Sequence, residues 1–269
     1  MNRRRVLWIA LLVAVLAGGG WLVLRQLGSR PSLRVYCGGS MRPPMQELIK
    51  RFEARNSVRI AVIYNGCGIL VGQMKTGAGG DVYYACDRFF MDQARSIGAI
   101  DESYPVADVT RFRPVILVKK GNPKDIRGVD DLARPGVRLG LGVETHGAVG
   151  HAGWAIIRQS PRFEDIRRNV KADATTADVL AVQLVTGPLD AVIIWDAVAV
   201  NHAAKADIVP IAGAMADQPI ALMKQSRRPE LARRFIEFVR SDEARKVFAD
   251  YGFVVSAPAT APDRGVSPF

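Results

Sequence analysis

The sequence predicts an α/β protein with open, mostly parallel sheets. Short apolar and β-branched runs alternate with segments of helical spacing along most of the 269 residues. Three of these runs, around Val35, Val62 and Val82, end in short turns and continue into a helical pattern. Ligands of open α/β sheets lie at the carboxyl ends of the strands. These three strand ends therefore predict a small-molecule pocket.

The predicted elements follow in a regular order. Strands are expected at residues 33–36, 59–64, 81–84, 115–118, 138–142, 190–195 and 219–223. After the first strand, Pro43 and Pro44 stand where prolines suit a first helical turn, and apolar residues then recur at helical spacing up to Phe52. The same spacing predicts helix from Leu231 to Phe248.

The first thirty residues differ from the rest of the chain. Arginines at positions 3 to 5 precede an uncharged run of nineteen residues from Val6 to Leu24. A helix of that length spans roughly 30 Å, the thickness of a bilayer core. The arginines predict a cytoplasmic N-terminus with the remainder exported. We expect residues 1–30 to be an inner-membrane anchor, with a cleaved signal segment as the alternative, and the body to be periplasmic.

The charge balance is basic. The chain carries a net charge of +11, and because residues 1–30 hold five arginines and no acid, the body keeps +6. Such a surplus favours an anionic ligand or membrane surface. The sequence shows no basic helix with interleaved aromatic residues, and export also argues against a nucleic-acid partner.

Five stretches resemble, in order, the molybdate-type periplasmic substrate-binding proteins of ABC importers. They are residues 35–41 (VYCGGSM), 64–70 (YNGCGIL), 80–87 (GDVYYACD), 118–123 (VKKGNP) and 247–253 (VFADYGF). The resemblance implies two Rossmann-like lobes with a ligand cleft between them, the type II periplasmic binding protein fold. Lobe one would comprise residues 32–113 and 215–257, and lobe two residues 114–214, followed by a flexible tail at residues 258–269.

The resemblance also implies the ligand-binding positions, which lie at strand ends and helix starts. They are Gly39, Ser40, Cys67, Gly68, Ala148, Val149, Val179 and Trp195. Ser40 matches the first ligand serine of the family. Cys67 replaces the second ligand serine with a weaker donor, and Trp195 replaces a ligand tyrosine. Main-chain N–H groups at such helix starts favour an anion.

What the resemblance implies is a binding protein without catalytic activity or cofactor. We expect a monomer that captures a small oxyanion, molybdate or tungstate first, and delivers it to an ABC permease in the inner membrane, with the bilayer engaged through residues 6–24. A sensory role without transport stays open. An enzyme would need a base beside a nucleophile; His146 and His151 lie near the cleft, but no third member orients them.

Cys37, Cys67 and Cys86 each come just after a predicted strand. In the family the first strand lies between the second and third, so the three thiols would be neighbours. They would then suit a soft ligand, and the alternative function is a copper or arsenite binding or sensing protein. Two further interpretations remain: a disulfide between Cys37 and Cys67, or three buried residues without special chemistry.

Overall fold

A computed structural model describes residues 32–255 as two β-sheets with helices packed on them. The predicted membrane segment at residues 1–30 and the predicted tail at residues 258–269 lie outside the described residues. A search of the helices between residues 32 and 255 finds none that is long and apolar enough to cross a bilayer.

Eleven strands are present in the described part of the chain. They are β1 (Ser32–Gly38), β2 (Arg59–Asn65), β3 (Val82–Tyr84), β4 (Ala107–Phe112), β5 (Pro114–Lys119), β6 (Leu139–Gly142), β7 (Val170–Ala174), β8 (Ala191–Trp195), β9 (Ala206–Pro210), β10 (Ala216–Leu222) and β11 (Val254–Val255).

The α-helices of the same part follow the strands at short intervals. They are α1 (Arg42–Asn56), α2 (Cys67–Lys75), α3 (Arg88–Ser96), α4 (Ala148–Arg158), α5 (Phe163–Asn169), α6 (Ala177–Thr186), α7 (Asp196–Ala199), α8 (Pro229–Val239) and α9 (Asp242–Asp250). A short 3-10 turn, Gly39–Met41, joins β1 to α1. Proline occupies the first turn of α1, as predicted.

The two sheets have the orders β11-β4-β10-β3-β1-β2 and β7-β6-β8-β5-β9. We call the first sheet with its helices lobe one (residues 32–112 and 216–255) and the second lobe two (residues 114–210). Strand β1 lies between β2 and β3 and runs parallel to both, as the family resemblance implied. In lobe two, β6 is parallel to β7 and β8.

The expectation of mostly parallel sheets is wrong in its detail, because both sheets are mixed. Strand β10 is antiparallel to β3 and β4, and β5 is antiparallel to β8 and β9. These antiparallel strands include those by which the chain changes sheets, since it passes from β4 to β5 and returns from β9 to β10. The carboxyl ends of the parallel strands in each sheet remain free to build a ligand site.

The core is continuous across the two lobes. Strand β8 is buried on both faces, and its alternate residues belong to different clusters. Val192 and Ile194 join the large apolar cluster that extends through both lobes, whereas Ile193 joins a cluster within lobe two. This alternation follows from the two-residue period of a strand. One face of β8 therefore contributes to the core that the two lobes share, and its other face belongs to a core within lobe two.

Candidate ligand-binding site

A small cavity lies between the two lobes, and nearly all of its walls are strand ends and helix starts. Its lining residues are Gly39, Ser40, Asn65, Gly66, Cys67, Cys86, Gly147, Ala148, Val149, Thr175, Thr176 and Trp195. Lobe one contributes the first six of these and lobe two the others. The cavity is therefore formed only when the two lobes face each other.

Five helices begin at or beside this cavity. In lobe one the 3-10 turn leading into α1 starts at Gly39, and α2 starts at Cys67. In lobe two α4 starts at Ala148, α6 follows Thr176, and α7 follows Trp195. The N–H groups of a first helical turn have no acceptor within their own helix, and the helix dipole adds partial positive charge there. The arrangement therefore favours an anionic guest.

The donors at this cavity are neutral. Among the described residues, none of those lining the cavity has a charged side chain. Ser40 is 7% exposed, and Trp195 is buried with its ring stacked on Phe112 at a centroid distance of 5.0 Å. Hydroxyl, amide and main-chain N–H groups can surround a small anion, and the glycines at 39 and 147 let the backbone approach it closely.

The two lobes touch through main-chain atoms beside the cavity. The N–H groups of Gly68 and Ile69 donate to the carbonyl oxygen of His146, at 3.0 and 3.4 Å. A Cβ at Gly68 would lie 1.9 Å from the carbonyl oxygen of Thr145, and one at Gly66 would lie 2.3 Å from that of His146. Glycine at both positions is therefore a condition for this contact.

The three cysteines differ in their access to the cavity. Cys67 and Cys86 line the cavity, whereas Cys37 is fully buried in β1 and does not. All three are free thiols, so the predicted Cys37–Cys67 disulfide is not formed. Between residues 32 and 255 no group of three His, Cys, Asp or Glu side chains has the geometry of a metal site. A soft-ion site made of all three cysteines is thus not assembled.

Burial and mutual contact set the ionisation of these thiols. Burial raises the pKa of the Cys37 thiol well above its ordinary value, and the nearby Cys67 adds to this rise. A hydrogen bond with the Cys67 thiol, together with burial, raises the pKa of the Cys86 thiol well above its ordinary value. Cys37 and Cys86 therefore remain protonated at neutral pH.

The structure brings six of the eight sequence-predicted residues to the cavity: Gly39, Ser40, Cys67, Ala148, Val149 and Trp195. Gly68 lies one residue away and gives its N–H to His146 instead. Val179 lies on α6 with 46% of its surface exposed, outside the cavity wall. Asn65, Thr175 and Thr176 were missed, although a threonine directly before the apolar helix α6 is a capping signal in the sequence.

The histidines considered for an enzyme have other contacts. His146 is exposed and uses its main-chain carbonyl to hold α2, while His151 contacts Asp87 and Phe89 of lobe one. Asp87 caps α3 by accepting a hydrogen bond from the N–H of Phe90 at 3.0 Å.

Comparisons with known proteins agree with this architecture. The chain is 29% identical over 230 residues to the molybdate-binding protein ModA of Mycobacterium bovis, which covers 82% of this chain and 84% of that protein. The sulfate-binding protein SubI from Mycobacterium tuberculosis superposes with a TM-score of 0.73 at 18% identity, covering 83% of this chain and 86% of that one.

A second solved structure is described as the substrate-binding domain of a molybdenum ABC transporter from Clostridium difficile. It superposes with a TM-score of 0.63 at 18% identity and covers 84% of this chain and 99% of that one. The predicted resemblance to molybdate-type periplasmic binding proteins is confirmed. Residues 33–254 match the family described as bacterial extracellular solute-binding protein, and the chain belongs to that family.

Proposed function

We propose that the protein captures a small oxyanion, with molybdate or tungstate as the expected ligand, and delivers it to an ABC permease in the inner membrane. One observation carries this proposal: helix N-termini of both lobes converge on a cavity whose lining has no charged side chain. Each helix N-terminus near an anion contributes on the order of 0.3–1 kcal/mol. Several of them acting together favour a compact, highly charged guest.

The size of the cavity supports a compact ligand. Its volume is about 10 Å³, which is close to the space needed by one water molecule. A tetrahedral oxyanion is larger than this space, so the walls must move outward to admit it. An extended ligand such as a sugar phosphate would need the lobes to separate much further.

Relatives support the choice among oxyanions. The protein at 29% identity is described as molybdate-binding, and a structural neighbour as sulfate-binding. The proposed ligand residues here are the lining positions Gly39, Ser40, Asn65, Cys67, Ala148, Val149, Thr175, Thr176 and Trp195. Gly68 supports the site by holding the lobes together. No role in binding is proposed for Val179.

The proposed setting of the protein is the periplasmic face of the inner membrane. The apolar run of residues 6–24 would serve as the anchor, and the body would act as a monomer without a cofactor. The family name, which specifies extracellular solute-binding proteins, supports export.

Isothermal titration calorimetry with molybdate, tungstate, sulfate and phosphate tests the proposal. We expect one or two of these anions to bind with one site per chain. At a ligand concentration of 100 times Kd the bound anion should raise the free energy of unfolding by about 2.7 kcal/mol. No heat of binding and no thermal stabilisation with any of the four would overturn the oxyanion assignment.

A further inference from the structure

Two thiols face the same cavity as the hydrogen-bond donors. Cys67 is the first residue of α2 and Cys86 follows β3; both line the cavity and are 1% and 4% exposed. The main-chain N–H of Cys86 donates to the Sγ atom of Cys67 at 3.2 Å, and the Sγ atoms of both cysteines lie beside Gly38. The pair is therefore close enough to bind one atom.

Gly38 provides the space for this pair. A Cβ at position 38 would lie 2.1 Å from the Sγ atom of Cys86 and 3.3 Å from that of Cys67. The φ angle of Gly38 is −57°, a value that any residue adopts, so the backbone itself does not call for glycine. Glycine is required at position 38 because the two sulfur atoms occupy the space that a side chain would need.

The lining combines sulfur with hard hydrogen-bonding groups. The cavity is also lined by Ser40 and Thr176, which carry hydroxyl groups, and by Asn65, which carries an amide. A bare soft metal ion would engage the sulfur atoms and leave the hydroxyl and amide groups without a partner. A hydroxide of a soft element uses both, because its central atom bonds sulfur and its oxygen accepts or donates hydrogen bonds.

We propose that Cys67 and Cys86 form a dithiol site for trivalent arsenic, taken up as arsenous acid. The site depends on the interlobe cavity of the proposed function but not on which oxyanion that cavity binds. In each of two condensations an S–H bond and an As–O bond break, an S–As bond forms, and the displaced hydroxyl leaves with the thiol proton as water. The oxidation state of arsenic does not change, and one hydroxyl remains on it for the donors of the cavity.

The state of the thiols suits this chemistry. The raised pKa of Cys86 keeps it protonated at neutral pH, so the condensation releases water without a net proton. The thiolate is the nucleophile toward disulfides and alkylating agents, so the buried, protonated thiol of Cys86 reacts with them slowly. This slow reaction favours a free Cys86 thiol, and both cysteines of the pair are free in the structure.

Cys37 is the internal control for the experiment. It is buried, does not line the cavity, and its thiol approaches the carbonyl oxygen of Gly38 at 3.6 Å. Cys37→Ser, Cys67→Ser and Cys86→Ser should therefore separate cavity thiols from a buried one.

The test is native mass spectrometry and calorimetry of the full chain, titrated with sodium arsenite in the presence of a phosphine reductant. We expect one arsenic per chain in the wild type, bound with loss of two waters, and the same in Cys37→Ser. Each of the variants Cys67→Ser and Cys86→Ser can form only one of the two S–As bonds. Both should therefore bind arsenite at least about 100-fold more weakly than the wild type. No arsenic adduct in the wild type, or unchanged binding in both cavity variants, would overturn the dithiol site.

Two further measurements keep the test decisive. If a serine variant fails to fold, a competition titration of the wild type replaces it. Bound arsenite should then exclude whichever oxyanion the protein binds. Simultaneous binding of both ligands would contradict a shared cavity. Tungstate and molybdate titrations of the same samples judge the oxyanion assignment separately. Arsenite binding without oxyanion binding would refute only the oxyanion assignment. Oxyanion binding without arsenite binding would refute only the dithiol site.

Discussion

The imidazole Nδ1 atom of His151 in lobe two lies 3.3 Å from the carboxylate Oδ2 atom of Asp87 in lobe one. The two side chains are 15% and 8% exposed, so the contact is shielded from solvent. The His151 ring also stacks on Phe89 at a centroid distance of 3.9 Å and an interplanar angle of 10°. This group joins helix α4, which begins at the cavity, to the start of helix α3. It exists only while the lobes are together.

The first prediction concerns this contact. His151→Phe keeps an aromatic ring against Phe89 but removes the partner of Asp87, so closure should lose about 1 kcal/mol and oxyanion Kd should rise about fivefold. His151→Ala removes the stacking as well and should weaken binding by a further 0.5–1.5 kcal/mol, an order-of-magnitude value for aromatic pairs. Calorimetric titration with tungstate or molybdate measures both.

Asp87→Asn is the matched variant, because asparagine can still cap α3 through its side-chain oxygen. We expect the same loss as in His151→Phe and no additional loss in the double variant. Fully additive losses would mean that the two side chains act independently of each other.

Gly68→Ala should block closure without unfolding lobe one. The added Cβ would lie 1.9 Å from the carbonyl oxygen of Thr145, and a backbone atom cannot yield as a flexible side chain does. We expect at least tenfold weaker oxyanion binding with an unchanged circular dichroism spectrum.

Gly72→Ala is the control for that change. Gly72 lies in the same helix, α2, and no atom is within 4 Å of its added Cβ. Its affinity should equal that of the wild type, and its free energy of unfolding should rise by up to about 1 kcal/mol, because alanine favours a helix over glycine. Equal affinity losses in both variants would refute the role of the Thr145 contact.

Ser40→Ala should weaken oxyanion binding. Ser40 lines the cavity and is nearly buried, and a hydroxyl that donates to a charged ligand contributes about 1.5–3 kcal/mol. The Kd should therefore rise by more than about tenfold. Ser96→Ala, at an exposed hydroxyl bonded to the carbonyl of Gln93, should leave binding unchanged. An affinity loss no larger in Ser40→Ala than in Ser96→Ala would exclude the Ser40 hydroxyl from the ligand contacts.

Cys67→Ser should preserve or tighten oxyanion binding, while it abolishes the dithiol. A hydroxyl is a stronger hydrogen-bond donor than a thiol, and the side chain lines the cavity. Calorimetry with molybdate or tungstate compares it with the wild type, and a loss of affinity of tenfold or more would show that the sulfur atom itself contacts the oxyanion.

Acid should destabilise the protein partly through Glu243. Hydrogen bonds from Arg55 and Arg51 on α1 lower the pKa of Glu243, on α9, from 4.5 to about 2. The carboxylate therefore contributes stability above pH 4.5, the unfolded value, and that contribution disappears as the pH falls through the window down to about 2. Urea unfolding at pH 7, 4 and 3 should show the wild type approaching Glu243→Gln as the pH falls. Asp242→Asn, at the neighbouring exposed acid, should show no such convergence.

Seven of the eleven strands and half of the residues that line the cavity could be predicted, because they depend on local pattern. The apolar run of β1, the prolines of α1 and the small residues between them indicate a strand, a turn and a helix in sequence order. Ser40 and Cys67 then reach the cavity since β1 lies beside β2 in the sheet. The helix starts follow from the same local information.

Contacts between the lobes could not be predicted in this way. The hydrogen bond from Gly68 to His146 and the contact of His151 with Asp87 depend on how two separately folded sheets face each other. The periodicity of apolar residues predicts single strands and helices but does not predict how the two sheets are placed relative to each other. Val179 was predicted as a ligand position because it is close to a helix start along the chain, but it lies on the exposed side of α6. Thr175 and Thr176, which precede that helix, line the cavity instead.

The carbonyl of His146, which accepts hydrogen bonds from two N–H groups at the start of α2, has a consequence for the opening of the two lobes. When the lobes part, water replaces that carbonyl at little net cost, because exchanging a protein hydrogen bond for a water one changes the free energy by only about 0.5–1.5 kcal/mol. The two arrangements are thus nearly balanced at this point. This pair of hydrogen bonds would therefore offer little resistance to separation of the lobes.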